Sequence, residues 1–237
     1  DIITTGEGHD IVIGGRGDDI IETGTDSQGN VVTGDDGDVV VGDNATLTFT
    51  SIGQLQTIKT TYPLTDSGTV ASDGSTISYQ DTITTGTGND IIIGGLGDDA
   101  IISNDAEVRD VVVGDAGEIT LDVSTLEDIP DVYAFTHLPL EITSIDPEFT
   151  GEDTINTGSG DDLVVGGSGS DTIDTGQGAT EDIVVGDDAT LMLNSSGQLN
   201  SITSSHPDHG NADIITTGEG HDIVIGGRGD DIIETGT

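Results

Sequence analysis

The hydrophobic residues of this chain are grouped in short runs, often three residues long, which alternate with glycine-rich polar stretches. Near the start, TGEGHDIVI (Thr5 to Ile13) is followed by GGRGDDIIE (Gly14 to Glu22), so the pattern has a period of nine residues. Runs of β-branched residues favour short strands, and glycine-rich hexads favour tight turns. The pattern therefore predicts an all-β chain in which turns and strands alternate, with two nonapeptides completing each flattened coil.

These nonapeptide pairs recur along the chain. They restart at Asp1, Asp81, Asp153 and Asp213, and residues 213–237 repeat residues 1–25 letter for letter. Each of the first three pairs is followed by a less regular third turn that ends GDVVVGD, RDVVVGD or EDIVVGD. We expect four units: 1–80, 81–152 and 153–212, each made of repeats plus an insert, and 213–237, the start of the next repeat.

The inserts have a different pattern. Residues 44–63 and 188–207 share two alternating stretches around a glycine-containing turn, which predicts a β-hairpin in each. The middle insert is longer and departs from this template. No helical periodicity of useful length is present.

The places on either side of the eighth residue separate the turns into two kinds. Counting within each nonapeptide, places seven and nine are apolar in the first turns (Ile11 and Ile13) and in the third turns (Val39 and Val41), but mostly mixed or polar in the second turns. First and third turns fall on the same side of a two-turn coil. One parallel sheet is therefore expected to be buried on both faces, and we hypothesise that the hairpins fold back to cover it. Exposed valines in the third turns would contradict this.

The composition changes this interpretation, because Lys and Arg number 4 against 46 Asp and Glu, a net charge of −42. This charge argues against nucleic-acid binding and against adsorption to anionic membranes. With only 3% aromatic residues, such an acidic chain would ordinarily be disordered. No run of about 18 apolar residues is present, so no membrane insertion is expected. A cationic component that the sequence does not encode is therefore needed for compaction.

The sixth place of every nonapeptide holds the residue that can bind this component. It is always Asp, and stacked coils would bring these carboxylates into columns about 4.8 Å apart. Such a column repels itself unless a hard divalent cation lies between its layers. Ca²⁺ takes six to eight oxygen ligands, and glycine turns expose additional carbonyls. No thiolate or suitably placed imidazole favours a softer metal.

GGRGDDIIE and GGLGDDAII resemble the RTX nonapeptide G-G-x-G-x-D-x-U-x of calcium-binding parallel β-rolls. The resemblance implies an all-β fold, a calcium-stabilised parallel β-roll (β-solenoid) interrupted by β-hairpin insertions, with several Ca²⁺ ions. In that family the sixth-place Asp bridges neighbouring ions and turn carbonyls complete the ligand shell. The ligands implied in the regular turns are Asp10, Asp19, Asp90, Asp99, Asp162, Asp171, Asp222 and Asp231. The irregular third turns place Asp38, Asp110 and Asp182 equivalently.

Four further aspartates also occupy place six, namely Asp1, Asp81, Asp153 and Asp213. The turns that precede them lack the glycines or lie outside the sequence. We expect their sites to be absent or weak.

The resemblance also implies a function. RTX proteins are exported by type I secretion and fold outside the cell, so we expect a segment of a long extracellular or cell-surface bacterial protein that acts as a structural or adhesive stalk. No catalytic motif is present, and we expect no enzyme activity. A cell-surface, glycan or protein partner is compatible with the sequence.

Two alternatives remain. The variable inserts, above all Asp122 to Phe149 with Tyr133 and Phe135, could form a ligand- or partner-binding module. Alternatively, the chain could be the RTX tail of a secreted enzyme.

Overall fold

The computed structural model describes residues 1–24, 37–61, 78–106, 108–123, 138–177 and 179–236. The regular elements in these ranges are β-strands, and no described helix could cross a membrane. In chain order the strands are β1 (Ile2–Thr4), β2 (Ile11–Ile13), β3 (Ile20–Glu22), β4 (Val39–Val41), β5 (Ala45–Phe49), β6 (Leu55–Thr60), β7 (Thr82–Thr85), β8 (Ile91–Ile93), β9 (Ala100–Ala106), β10 (Val111–Val113), β11 (Gly117–Leu121), β12 (Pro139–Ser144), β13 (Thr154–Ser159), β14 (Leu163–Val165), β15 (Thr172–Asp174), β16 (Ala179–Thr180), β17 (Ile183–Val185), β18 (Ala189–Leu193), β19 (Leu199–Ser204), β20 (Ile214–Thr216), β21 (Glu219–Gly220), β22 (Ile223–Ile225) and β23 (Ile232–Glu234).

Two parallel sheets form the two walls of a β-roll. Sheet A has the order β1-β3-β7-β9-β13-β15-β20-β23, and sheet B has the order β2-β4-β8-β10-β14-β17-β22. The chain passes from one sheet to the other at every turn. Equivalent places pair across neighbouring coils, as Val112 does with Ile92 on one side and Val164 on the other. The predicted all-β parallel roll is therefore confirmed.

The interior of the roll is a ladder of eighth-place side chains. Ile92 and Ile101 are fully buried, and the equivalent residues of the other coils join the same hydrophobic cluster. Val224 packs at the margin of the cluster, and Ile233 in the outermost strand of sheet A is 43% exposed. Burial of each such side chain contributes roughly 1.5–3 kcal/mol. Ile and Val thus supply the core of a chain that has few aromatic residues.

A third sheet covers the outer face of sheet B, as hypothesised. It is antiparallel, has the order β19-β18-β12-β11-β6-β5, and takes two strands from each insert. We call it the cover sheet. Its Ile58, Ile119 and Ile142 are fully buried in one cluster with the third-turn valines, including Val39 and Val113 at 0% exposure. The two predicted hairpins correspond to β5–β6 and β18–β19.

The outer face of sheet A has no such cover among the described residues. Ile20 and Ile214 on that face are 44% and 47% exposed, and Thr82, Thr154 and Thr172 lie beside them on the surface. The mixed polarity at places seven and nine of the second turns agrees with this exposure. Sheet B is therefore the inner layer of a three-layer structure, with sheet A on one side and the cover sheet on the other.

The middle insert contributes β11 and β12 to the cover sheet. Tyr133 and Phe135, which the sequence analysis singled out for partner binding, lie outside the described residues. Phe149 is described and is 42% exposed.

Candidate metal sites along two aspartate ladders

The sixth-place aspartates form two ladders, one along each edge of the roll. The first ladder lies where the chain enters sheet B and consists of Asp10, Asp38, Asp90, Asp110, Asp162, Asp182 and Asp222. The second lies where the chain enters sheet A and consists of Asp19, Asp81, Asp99, Asp153, Asp171, Asp213 and Asp231. In both ladders each backbone N–H donates to Oδ1 of the next aspartate, over 2.7–3.1 Å. The carboxylates are thus held in register from coil to coil.

The second Oδ oxygens have different surroundings in different turns. In three turns of the first ladder, the hydroxyls of Thr157, Thr175 and Thr217 donate to Oδ2 of Asp162, Asp182 and Asp222, respectively, over 2.6–2.8 Å. In six aspartates of the second ladder, Oδ2 is buried and accepts no hydrogen bond. They are Asp19, Asp81, Asp99, Asp153, Asp171 and Asp213. Buried oxygens without a donor indicate a missing positively charged or donor ligand.

Glycine at place one brings a carbonyl oxygen beside these unsatisfied carboxylates. A Cβ atom built on Gly94 would lie 2.2 Å from the Gly114 carbonyl oxygen and 2.5 Å from Asp99 Oδ2. The same arrangement recurs in the other coils, for example at Gly166 with the Gly186 carbonyl oxygen and Asp171 Oδ2. Carboxylate and carbonyl oxygens therefore converge at a point that only glycine leaves open.

Burial makes the charged form of these carboxyl groups costly. Burial, together with the smaller effect of neighbouring carboxylates, raises the pKa of Asp81 and Asp213 to about 7. It raises the pKa of Asp171 to about 9, with Asp153 as the next largest cause. A divalent cation would supply the compensating charge and restore the ionised form.

The donor set fits calcium. All the oxygens are hard ligands, which suit Ca²⁺ better than a softer transition metal. Within the described ranges, no group of three or more His, Cys, Asp or Glu side chains is arranged to hold a metal ion. The backbone carbonyls that lie beside the place-one glycines would supply further oxygen ligands.

The model of the RTX calcium-binding nonapeptide repeat matches four segments of the chain, residues 1–27, 77–105, 149–180 and 210–237. The chain carries RTX calcium-binding repeats. The four matched segments coincide with the four starts at Asp1, Asp81, Asp153 and Asp213, and they leave out most of the inserts. No curated protein and no solved structure matches the chain significantly. The RTX repeats bind Ca²⁺, and the regular ladders provide for several ions.

The structure brings all eleven sequence-predicted ligands onto the two ladders, seven on the first and four on the second. Asp10, Asp222 and Asp231 are half-buried near the ends of the sheets, whereas the other eight are buried. The assignment of each as a calcium ligand stays a prediction.

Three aspartates that sequence analysis expected to form absent or weak sites lie on the second ladder in full register. Asp81, Asp153 and Asp213 accept the backbone N–H groups of Asp19, Asp99 and Asp171, respectively. An insert separates the two halves of each of their turns, so the contiguous glycine pattern is absent from the sequence. The signal that could have found them is the constant spacing to the strand that follows, which begins one residue later in each case.

Proposed function

We propose that this chain is a calcium-dependent structural segment of a long extracellular bacterial protein, and that it serves as a stalk. The observation that carries the proposal is the row of buried second-ladder carboxylates with no hydrogen-bond donor at Oδ2. A folded roll cannot hold these charges in a low-dielectric interior without a cation. Folding is therefore expected to require Ca²⁺, since metal-binding free energy becomes folding free energy.

This dependence suits export of an unfolded chain. A cell interior low in calcium would keep the chain unfolded, and external calcium would fold it after type I secretion. The described inserts support a structural role, since their buried faces form the cover sheet. Binding of a glycan or protein by the variable inserts, and attachment to an upstream enzyme, stay alternatives. We propose that the segment itself has no catalytic activity.

The test is circular dichroism of the 237-residue chain in chelator and in millimolar calcium. We expect mostly coil in chelator and recovery of β-structure with calcium. Magnesium at the same concentration is the control, because it demands stricter octahedral geometry and dehydrates reluctantly. An unchanged spectrum on adding calcium would contradict the proposal, and equal recovery with magnesium would remove its specificity for calcium.

A further inference from the structure

Each insert interrupts a nonapeptide turn at one place. In the middle unit, Gly114 and Asp115 take places one and two, and Gly151, Glu152 and Asp153 take places four to six. The hydrogen bonds are those of an intact turn: Gly95 N–H donates to the Gly114 carbonyl and Asp115 N–H donates to the Gly166 carbonyl. The insert therefore replaces place three, and we call such a turn a split turn.

Every split turn carries an aspartate at place two, where the neighbouring intact turns carry glycine. The three residues are Asp43, Asp115 and Asp187. Asp115 is 2% exposed, and its Oδ2 accepts the backbone N–H of Ser168 in the next coil over 2.6 Å. Its Oδ1 is buried and accepts no hydrogen bond.

The other two split turns repeat this arrangement. Asp43 is 1% exposed and its Oδ2 accepts the N–H of Leu96, while Oδ2 of Asp187, which is 4% exposed, accepts the N–H of Arg228. In both residues Oδ1 is buried without a hydrogen-bond partner. The place-two aspartate of every split turn thus has one buried carboxylate oxygen without a hydrogen-bond donor.

At the middle split turn the unsatisfied oxygen lies near other acceptor oxygens. A Cβ built on Gly151 would lie 2.2 Å from the Gly97 carbonyl oxygen, 2.8 Å from Asp153 Oδ1 and 3.0 Å from Asp115 Oδ1. Capping of the Ser168 N–H accounts for Oδ2 of Asp115 but gives Oδ1 no partner. A buried oxygen among other acceptors is costly unless a cation binds it.

We propose that Asp43, Asp115 and Asp187 are additional calcium ligands outside the sixth-place set. Each supplies a carboxylate oxygen in a turn where the insert has displaced place three and its backbone. A split turn can then keep a cation site although it lacks the G-G-x-G pattern. This inference rests on calcium binding by the repeats and concerns only which residues bind the ion at the split turns.

The experiment measures bound calcium on the whole 237-residue chain. Asp115→Asn keeps the size of the side chain and an oxygen that can accept the Ser168 N–H, but it removes the charge. Glu152→Gln is the matched control, because Glu152 belongs to the same split turn, is exposed and loses the same charge. Equilibrium dialysis with elemental analysis gives the number of ions, and titration calorimetry gives their affinities.

We expect Asp115→Asn to lose about one Ca²⁺ per chain or to weaken one site by at least about tenfold. The triple variant with Asp43→Asn and Asp187→Asn should lose or weaken three sites, while Glu152→Gln should bind as the parent chain does. Equal stoichiometry and affinity in Asp115→Asn and the control would overturn the proposal and leave Asp115 as a cap for the Ser168 N–H. A parent chain that binds no calcium would instead refute the proposed function.

A second measurement does not depend on the folding of a variant. A crystal structure of the parent chain grown in calcium would show the ions directly. The proposal expects calcium about 2.3–2.6 Å from Asp115 Oδ1. An ordered Asp115 with no ion in contact with Oδ1 would overturn it.

Discussion

Acidification should partly replace calcium in folding this chain. Asp43 illustrates the reason, because burial raises its pKa from 3.8 to about 8, and the nearby carboxylates of Asp81 and Asp19 add to the rise. At a pH between these two pKa values, Asp43 is protonated in the folded chain but ionised in the unfolded chain. The free energy of unfolding without calcium therefore falls as the pH rises from about 4 to about 8. This is opposite in sign to the effect of an aspartate in a salt bridge.

The magnitude is large enough to decide whether the chain folds. The shift at Asp43 is about four pKa units, and at about 1.4 kcal/mol per unit it corresponds to about 6 kcal/mol. Asp171, whose pKa rises to about 9, acts in the same direction. Typical domains are stable by only 5–15 kcal/mol in total. The cost of ionising two such carboxyl groups without calcium is therefore comparable with the whole stability of a typical domain.

The assay is far-UV circular dichroism of the calcium-free chain between about pH 8 and about pH 4, followed by chemical denaturation at each pH. We expect β-structure to appear as the pH falls. The variant Asp43→Asn should fold more readily than the parent without calcium at about pH 8, because it has no charge to bury at this position. The matched control Asp230→Asn removes an exposed charge and should behave as the parent does. A calcium-free chain with equal β-structure at both pH values, or one that loses β-structure on acidification, would refute the reasoning.

Two further substitutions test the packing of the cover sheet and the need for glycine at place one. Ile142→Ala should lower the free energy of unfolding in calcium by about 2–5 kcal/mol, because Ile142 is fully buried against sheet B. Denaturant titration measures this free energy. The control Ile52→Ala, at a residue that is 63% exposed, should change it by less than about 0.5 kcal/mol. Equal effects would show that the cover sheet does not pack as described. Gly94→Ala should raise the calcium concentration needed for folding, because the new Cβ would lie 2.2 Å from the Gly114 carbonyl oxygen. Gly6→Ala serves as the control, since a Cβ at Gly6 meets nothing within 4 Å. If calcium titrations of the two variants, monitored by circular dichroism, coincide, the expected crowding at Gly94 is contradicted.

The sequence was sufficient to predict the roll because two periodicities agree in it. The nine-residue spacing predicts the coils, and apolar residues at places seven and nine distinguish sheet B from sheet A. Val39 and Val41 flank an inward-facing Val40, and a strand apolar at all three positions needs a cover on its outer face. The structure supplies that cover from the hairpins. The boundaries of the four units stay a prediction.

The split turns could not be predicted from the sequence in the same way. The two halves of the middle one, Asp115 and Gly151, are separated by a whole insert, so no local pattern joins them. Their register becomes visible only when the coils stack and the Asp115 N–H reaches the Gly166 carbonyl. The hydrogen bond from the Thr157 hydroxyl to Asp162 Oδ2 could not be predicted from the sequence either, because it depends on the shape of the turn that brings the two side chains together.

The spacing of the inserts explains why one cover sheet can run along the roll. Inserts follow β4, β10 and β17, which are alternate strands of sheet B. Neighbouring inserts therefore leave the roll two strands apart, or about 9.6 Å at the usual strand spacing. Each insert contributes two strands to the cover sheet, which occupy the same distance. Since the two sheets share one repeat, β6 can pair with β11 and β12 with β18 without strain accumulating along the roll. The cover sheet thus depends on coils held at a constant spacing, and calcium bound along the edges would help to fix that spacing.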